Sequence, residues 1–342
     1  MAHKTSFSKI VFMPQPYTDF RESSIEVYNA TMNNIIDLQI QTTFSDGKHT
    51  PRECIQMARD LGIRVISITD HDTVDGVDEA LKAGEELGIR IIPGIEMSVE
   101  DRDAHILGYG IDHKDEKLLA ELDKFKQGRI EGAKKIMDNL KNNEGFAVEW
   151  DDVLHSLPGA NIVTSLHVVK AVMARSENQE KIKGMTKQDF YNRYLSKSGP
   201  NYVRRTHIPA KDAIALIHHT GGVAVWSHPA ISFQEGDKEP KATNYEALEN
   251  FLQELIGWGL DGLEVFGPSH AEDDGEFVQN MAAKYSLLRT AGSDFHEEGD
   301  HPRNPIGLHS ADRLGDFETY GFPIDDVILK LDEAINFQRQ AQ

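Results

Sequence analysis

The sequence predicts an α/β fold, with βα units set around a parallel sheet or barrel and interrupted by a block of helices. Three observations carry this reading. From Asn33 onwards, short β-branched runs alternate with amphipathic stretches, the pattern of successive βα units. The alternation breaks between about Asp112 and Arg205, where helical patterns follow one another, and resumes at Pro209. Residues able to ligate metal recur where the β-branched runs end, and the ends of barrel strands are where such folds gather their functional side chains.

The predicted strands are 35–41, 65–69, 90–98, 104–109, 222–227, 262–266 and 287–291. Between the first two, Thr50, Pro51 and Glu53 supply an N-cap, a proline in the first turn and a capping-box acid, and Gly62 stops the helix. A second helix is expected over 75–87, ending at Gly88 just before the apolar run that contains Ile91 and Ile92. The interrupting block reads as a long charged helix over 118–141, then shorter helices around Val153, Val168 and Phe190. A further helix ends at His218, His219, Thr220 and Gly221, and the last, over 324–337, is amphipathic and suited to covering the sheet. The resulting organisation is an N-terminal extension over 1–30, a first part of the α/β domain over 31–111, a helical insertion over 112–205, and a second part with the terminal helix over 206–342.

Composition narrows the function classes. At 342 residues the chain exceeds the roughly 100 to 200 residues of a typical domain, so a large barrel or a domain carrying an insertion fits. Apolar residues at 39% and charged residues at 27% describe a folded chain rather than a disordered one. A formal charge of −20 leaves no basic stripe for a phosphate backbone, so long nucleic acid is not an expected partner, and any phosphate must be drawn by local cations. The single cysteine, Cys54, excludes an intrachain disulfide and a cysteine-based zinc site; on an amphipathic helix it reads as a small buried thiol. No secretory signal or membrane-spanning run is visible, so a cytoplasmic protein with no membrane partner is expected. Oligomeric state is not legible.

The chemistry-bearing residues are Asp37, Gln39, Gln41 and Asp46; Asp70, His71 and Asp72; Glu96; His105; His228; and Asp294 with His296. Singly, each is the kind of residue that caps a helix or faces solvent. Their recurrence at successive strand ends is the signal, because in a parallel α/β barrel those ends converge on one face. Mixed imidazole and carboxylate ligands suit zinc, manganese or iron.

At these positions the sequence resembles the polymerase and histidinol phosphatase (PHP) phosphoesterases, and especially the branch acting on nucleotide bisphosphates and short RNA as a 5'-3' exonuclease. The segments that carry the resemblance are 37–47 (DLQIQTTFSDG), 69–73 (TDHDT), 93–96 (PGIE), 105–108 (HILG), 227–229 (SHP) and 293–296 (SDFH). The resemblance implies a distorted barrel of seven βα units, with a helical insertion after the fourth strand. It implies two or three divalent ions per chain. Asp46, His71 and His296 would hold one, and Glu96, His105 and His228 another. A third would be bridged by Glu96 and held by Asp294 with two first-motif histidines, but this chain has Gln39 and Gln41 there. An amide oxygen ligates transition metals far more weakly than imidazole, so affinity at that third position should fall sharply.

The resemblance also implies hydrolysis of a phosphate ester of a nucleotide or short oligonucleotide by a metal-activated hydroxide, with Asp46, His71, His228 and His296 as the catalytic set. Basic residues of the insertion helix would meet a second phosphate, for which Lys126 and Arg129 are the candidates here, although charges on a helix are commonly solvated. The family commonly has an arginine where Ser165 stands; Arg204, Arg205 and Arg303 are candidate replacements, since guanidinium forks suit phosphate oxygens. His270 and His167 are cleft or structural histidines, and His49, His113, His155, His218 and His219 read as surface or packing residues. The competing readings are a catalytically impaired protein that senses a phosphorylated ligand, and a hydrolase acting on carbon centres, which the motif set disfavours.

Overall fold

The computed structural model describes residues 36–102, 104–156, 162–196, 198–203, 207–235, 242–298 and 310–341. The N-terminal extension over 1–30 lies outside the described residues. In chain order the elements begin β1 (Ile36–Ile40), α1 (Pro51–Asp60), β2 (Val65–Ile68), α2 (Val77–Leu87), β3 (Arg90–Ile91), β4 (Gly94–Ser98) and β5 (His105–Tyr109). Helices α3 (Glu116–Glu144), α4 (Trp150–His155), α5 (Ser165–Ala174) and α6 (Lys187–Tyr194) follow. The chain then runs through α7 (Ala210–His219), β6 (Val223–Ser227), β7 (Gln234–Glu235), β8 (Ala242–Thr243), α8 (Tyr245–Gly257), β9 (Gly262–Phe266), α9 (Glu272–Tyr285), β10 (Leu288–Ala291) and α10 (Val327–Gln340).

Local chemistry places the first units as expected. Thr50 and Glu53 form a reciprocal capping box at the start of α1, Gly62 follows its end with φ +81°, and Gly88 closes α2 in the left-handed region. Cys54 is fully buried on the inner face of α1. His218 Nε2 meets Asp261 at 2.7 Å and His113 meets Asp78 at 2.9 Å, both away from the strand ends that gather the candidate ligands.

The strands differ from the expected parallel arrangement in two respects. They form a parallel sheet β1-β2-β3 and a five-stranded sheet ordered β10-β9-β6-β5-β4, in which β5 runs antiparallel to both β4 and β6. Only a short loop joins β4 to β5, with Val99 N donating to Ala104 O. A parallel neighbour would need a crossover of about a dozen residues or more, so a hairpin is the geometry that this connection permits. The predicted strand over 90–98 is also two strands, because Pro93 lacks the N–H needed to continue a ladder. Residues before it pair with β2 and residues after it pair with β5. Among the described residues the two sheets are open. They meet at isolated bridges, Ile40 with Phe295 and His71 with Glu96.

Helices α3 to α6 bury a hydrophobic cluster of their own, including Leu140, Phe146, Val168, Phe190 and Tyr194. The rings of Phe146, Phe190 and Tyr194 pack with centroids 4.8 to 5.2 Å apart. Helix α3 is longer than its apolar pattern predicts, because Asp115 caps its start and Gly145 closes it at φ +64°. Helix α10 starts after Asp326 and runs to Gln340, and Ile335 abuts Gly110 on the sheet side. No described helix is long and apolar enough to cross a membrane.

His167 has a structural part in this helical block. Thr164 N donates to His167 Nδ1 at 3.0 Å, completing the cap of α5, and burial, helped by the charge of Lys170, lowers the imidazole pKa from 6.5 to about 4. A depressed folded pKa means that the unfolded chain binds the proton more tightly, so this contribution to stability is complete above pH 6.5 and is lost as pH falls towards 4. Urea unfolding across that window should show declining stability in the parent protein and a flatter profile in His167→Gln. An unchanged slope in the variant would contradict this assignment.

Candidate metal centre

Glu96 is the point on which the site converges. It lies on β4 with no solvent exposure. His105 Nδ1 lies 2.8 Å from its Oε1 and His228 Nε2 lies 3.2 Å from the same oxygen. The other oxygen, Oε2, accepts from Gln41 Nε2 at 2.5 Å and Gln39 Nε2 at 3.1 Å, with His71 Nδ1 at 3.8 Å. Register explains the gathering. The β4–β5 ladder sets Ser98 opposite His105, and the β5–β6 ladder sets His105 opposite Ser227, so His228 just beyond β6 turns back onto Glu96.

A second group adjoins the first through His71. Ligand atoms of Asp46, His71 and His296 lie within 4.8 Å of one another, as do those of His71, Glu96 and His105. His296 Nδ1 is 2.7 Å from the Asp294 carbonyl, which can only accept, so the proton sits on Nδ1 and the Nε2 lone pair faces Asp46 at 3.5 Å. His296 Nδ1 also lies 3.9 Å from Asp294 Oδ1. The site residues expected from the sequence, Gln39, Gln41, Asp46, His71, Glu96, His105, His228, Asp294 and His296, therefore come together.

The electrostatics of this cluster suit cations. Burial alone would raise the Glu96 pKa, but the imidazoles of His71 and His105 hold it well below the usual carboxylate range. Asp294 is pushed well above that range by burial and by the charges of Glu96 and Asp46. Burial lowers the pKa of His71 and His228, favouring the neutral rings that metal ligation requires. Asp46 Oδ1, His71 Nδ1 and His296 Nε2 are buried without a hydrogen-bond partner. These residues form one of the two groups whose ligand atoms lie within 4.8 Å of one another, a mixed imidazole and carboxylate set that fits a divalent ion.

Other acids named from the sequence build the frame instead. Asp37 accepts from Ser293 N at 2.9 Å, Ser293 Oγ at 2.5 Å and Gly315 N at 2.8 Å, which pins the loop carrying Asp294 and His296; burial still raises its pKa to about 6. Asp70 accepts from Thr42 N, Thr42 Oγ1 and Ser45 Oγ at 2.6 to 2.7 Å, which pins the loop carrying Asp46. In that loop a Cβ on Gly47 would lie 2.2 Å from Gln41 O, so only glycine fits. Asp72 accepts from Ser98 N and pairs with Arg129. Burial opposes its ionisation, but the Arg129 charge, His207, the Ser98 amide and His71 together lower its pKa. Asp72, His228 and Asp294 adopt φ of +33° to +52°, a costly backbone for non-glycine residues that clusters at functional sites.

Sequence reasoning missed Glu264. Buried on β9, it accepts from His228 N at 2.9 Å and Ser227 Oγ at 3.2 Å, and so supports the turn that aims His228. A glutamate in the otherwise apolar strand GLEVF was the available signal.

The expected substrate contacts are placed as follows. The Arg129 side chain is only 7% exposed and reaches Ser98 Oγ at 3.3 Å besides its pairing with Asp72, so it is not a solvated helix charge. It lines a cleft with Gly128, Gly132, Thr164, Ser165 and Tyr202. Lys126 is half-buried on the same helix. His270 is buried, with Nδ1 3.2 Å from Val265 O and its carbonyl accepting from Tyr320, a role in the loop after β9. Arg204, Arg205 and Arg303 lie outside the described residues.

Known proteins resemble this chain. The chain is 30% identical over 273 residues, 78% of its length and 91% of the relative's, to a 5'-3' exoribonuclease of Haemophilus influenzae. It is 29% identical over 271 residues, 79% of its length and 90% of the relative's, to a 3',5'-nucleoside bisphosphate phosphatase of Chromobacterium violaceum. Among solved structures, a candidate metal-dependent phosphoesterase of Bifidobacterium adolescentis superposes with a TM-score of 0.68 at 27% identity, covering 87% of this chain and 96% of that one. The PHP domain profile matches residues 37–262, which takes in every strand from β1 to the start of β9, and the chain belongs to the PHP domain family.

Proposed function

We propose that the chain is a metal-dependent phosphoesterase that hydrolyses phosphate esters of nucleotides or short oligonucleotides. The observation that carries this reading is the set of buried imidazole and carboxylate atoms without hydrogen-bond partners around Glu96. Asp46, His71 and His296 would hold one divalent ion, and Glu96, His105 and His228 a second, with manganese, zinc or iron suited to this donor set. Such ions supply an activated water and neutralise charge on the transferring phosphoryl group.

The chain's own groups do the rest. Asp294 O holds the His296 proton on Nδ1, and Glu264 fixes the backbone beside His228, so both rings face the pocket in one orientation. In this reading His228 and His296 would lie near the leaving oxygen. Arg129, steered by Asp72 towards the cleft lined by Thr164 and Ser165, is the side chain best positioned for a second phosphate. Lys126, Arg204, Arg205 and Arg303 are further candidates, with His270 behind the cleft. In architecture this reading treats the two sheets as arcs of a distorted seven-unit barrel and α3 to α6 as its helical insertion over 112–205. It places the protein in the cytoplasm, acting on small substrates.

A second reading follows from Gln39 and Gln41. Their amides occupy Glu96 Oε2, which favours a protein that binds a phosphorylated ligand without turnover. Phosphate release from a panel of mono- and bisphosphorylated nucleotides, with manganese, zinc or iron supplied, separates the two. The phosphoesterase reading expects release from at least one substrate and a loss of at least about 100-fold in Asp46→Ala. Absence of turnover with every metal would contradict it and leave the sensor.

A further inference from the structure

In this site two amides occupy a carboxylate oxygen that a cation would otherwise take. Gln41 Nε2 lies 2.5 Å from Glu96 Oε2. An ionised carboxylate only accepts, so the NH2 end of the amide faces it. Gln39 Nε2 donates to the same Glu96 oxygen at 3.1 Å and to Ser227 Oγ at 2.9 Å. Turning either amide around would press a carbonyl oxygen against a carboxylate oxygen.

A metal bound by a carboxylate oxygen sits about 2.0–2.2 Å from it. With two amide nitrogens already at 2.5 and 3.1 Å from Glu96 Oε2, a cation on that side has to displace both and then take amide oxygens in place of imidazole nitrogens. Both glutamines are fully buried, and Gln39 packs so closely on Gly292 that a Cβ there would come within 2.5 Å of the Gln39 Cβ. We infer that Gln39 and Gln41 stand in place of a third cation, so that this is a two-cation centre in which amide N–H groups occupy Glu96 Oε2. The two amides are neutral, so the centre carries two fewer positive charges than a three-ion site, and Glu96 is left to serve its remaining ions chiefly through Oε1, the oxygen facing His105 and His228.

This inference rests on the metal-centre reading above, and one set of measurements distinguishes their failures. Full-length protein is loaded with excess manganese and dialysed, ions per chain are counted by elemental analysis, and their positions are read from manganese anomalous scattering in crystals. The expected result is two ions per chain, none within bonding distance of Gln39 or Gln41, and a third ion in Gln39→His/Gln41→His. Three ions in the parent protein, or a peak bonded to either glutamine, would overturn the inference, as would a folded double variant that stays at two. If the double variant does not fold, the parent count and peak positions decide alone. None or one ion in the parent overturns the metal centre and this inference together. Two ions without phosphate release from any substrate overturns the phosphoesterase reading and leaves the two-cation centre standing.

Discussion

A carboxylate removed wholly from water must be surrounded by donors or cations, because an unpaired buried charge costs several kcal/mol, on the order of what keeps a domain folded. Glu96 is in that position on β4, the end strand of the five-stranded sheet. Its two oxygens draw in side chains from β1 (Gln39), the loop after β1 (Gln41), the loop after β2 (His71), β5 (His105) and the loop after β6 (His228). Elements far apart in sequence are tied to one atom pair. The bridge between His71 and Glu96, one of those where the two sheets meet, lies at the same place.

Around this hub a layer of acids acts on backbone rather than on ligands. Asp70 takes three donors from the loop that carries Asp46, Asp37 takes two from Ser293 beside Asp294 and one from Gly315, and Glu264 takes the His228 amide. Such hydrogen bonds are worth roughly 0.5–3 kcal/mol each, depending on the charge of the acceptor, and help to hold His228 and Asp294 at the positive φ that their turns demand. Each of these loops is thus held by an acid of its own as well as by the contacts around Glu96.

Much of this was legible in the residues. The capping box at Thr50, the glycine stops at Gly62 and Gly88, and the recurrence of acids and imidazoles at strand ends are local signals that tertiary packing preserved. Strand direction around β5 was less visible, although the short connection from β4 and the proline at position 93 held the clue. What stayed hidden was the division of labour among acids of one type. Asp37, Asp70 and Asp72 carry the same chemistry as Asp46 and Asp294, and only the donors that face each of them show which hold loops and which face the pocket. Arg129 illustrates the same limit, since its ion pair with Asp72 joins residues 57 positions apart. That positions 39 and 41 carry amides was plain in the sequence, whereas the direction in which those amides point is set by what the fold brings against them.

The claim that Glu96 organises a metal centre is tested most directly by calorimetric titration of manganese into the parent protein and into a folded Glu96→Gln variant, which keeps the shape and removes the charge. The account predicts saturable binding in the parent and a loss of at least about 100-fold in affinity in the variant. Equal binding in the two proteins would contradict it.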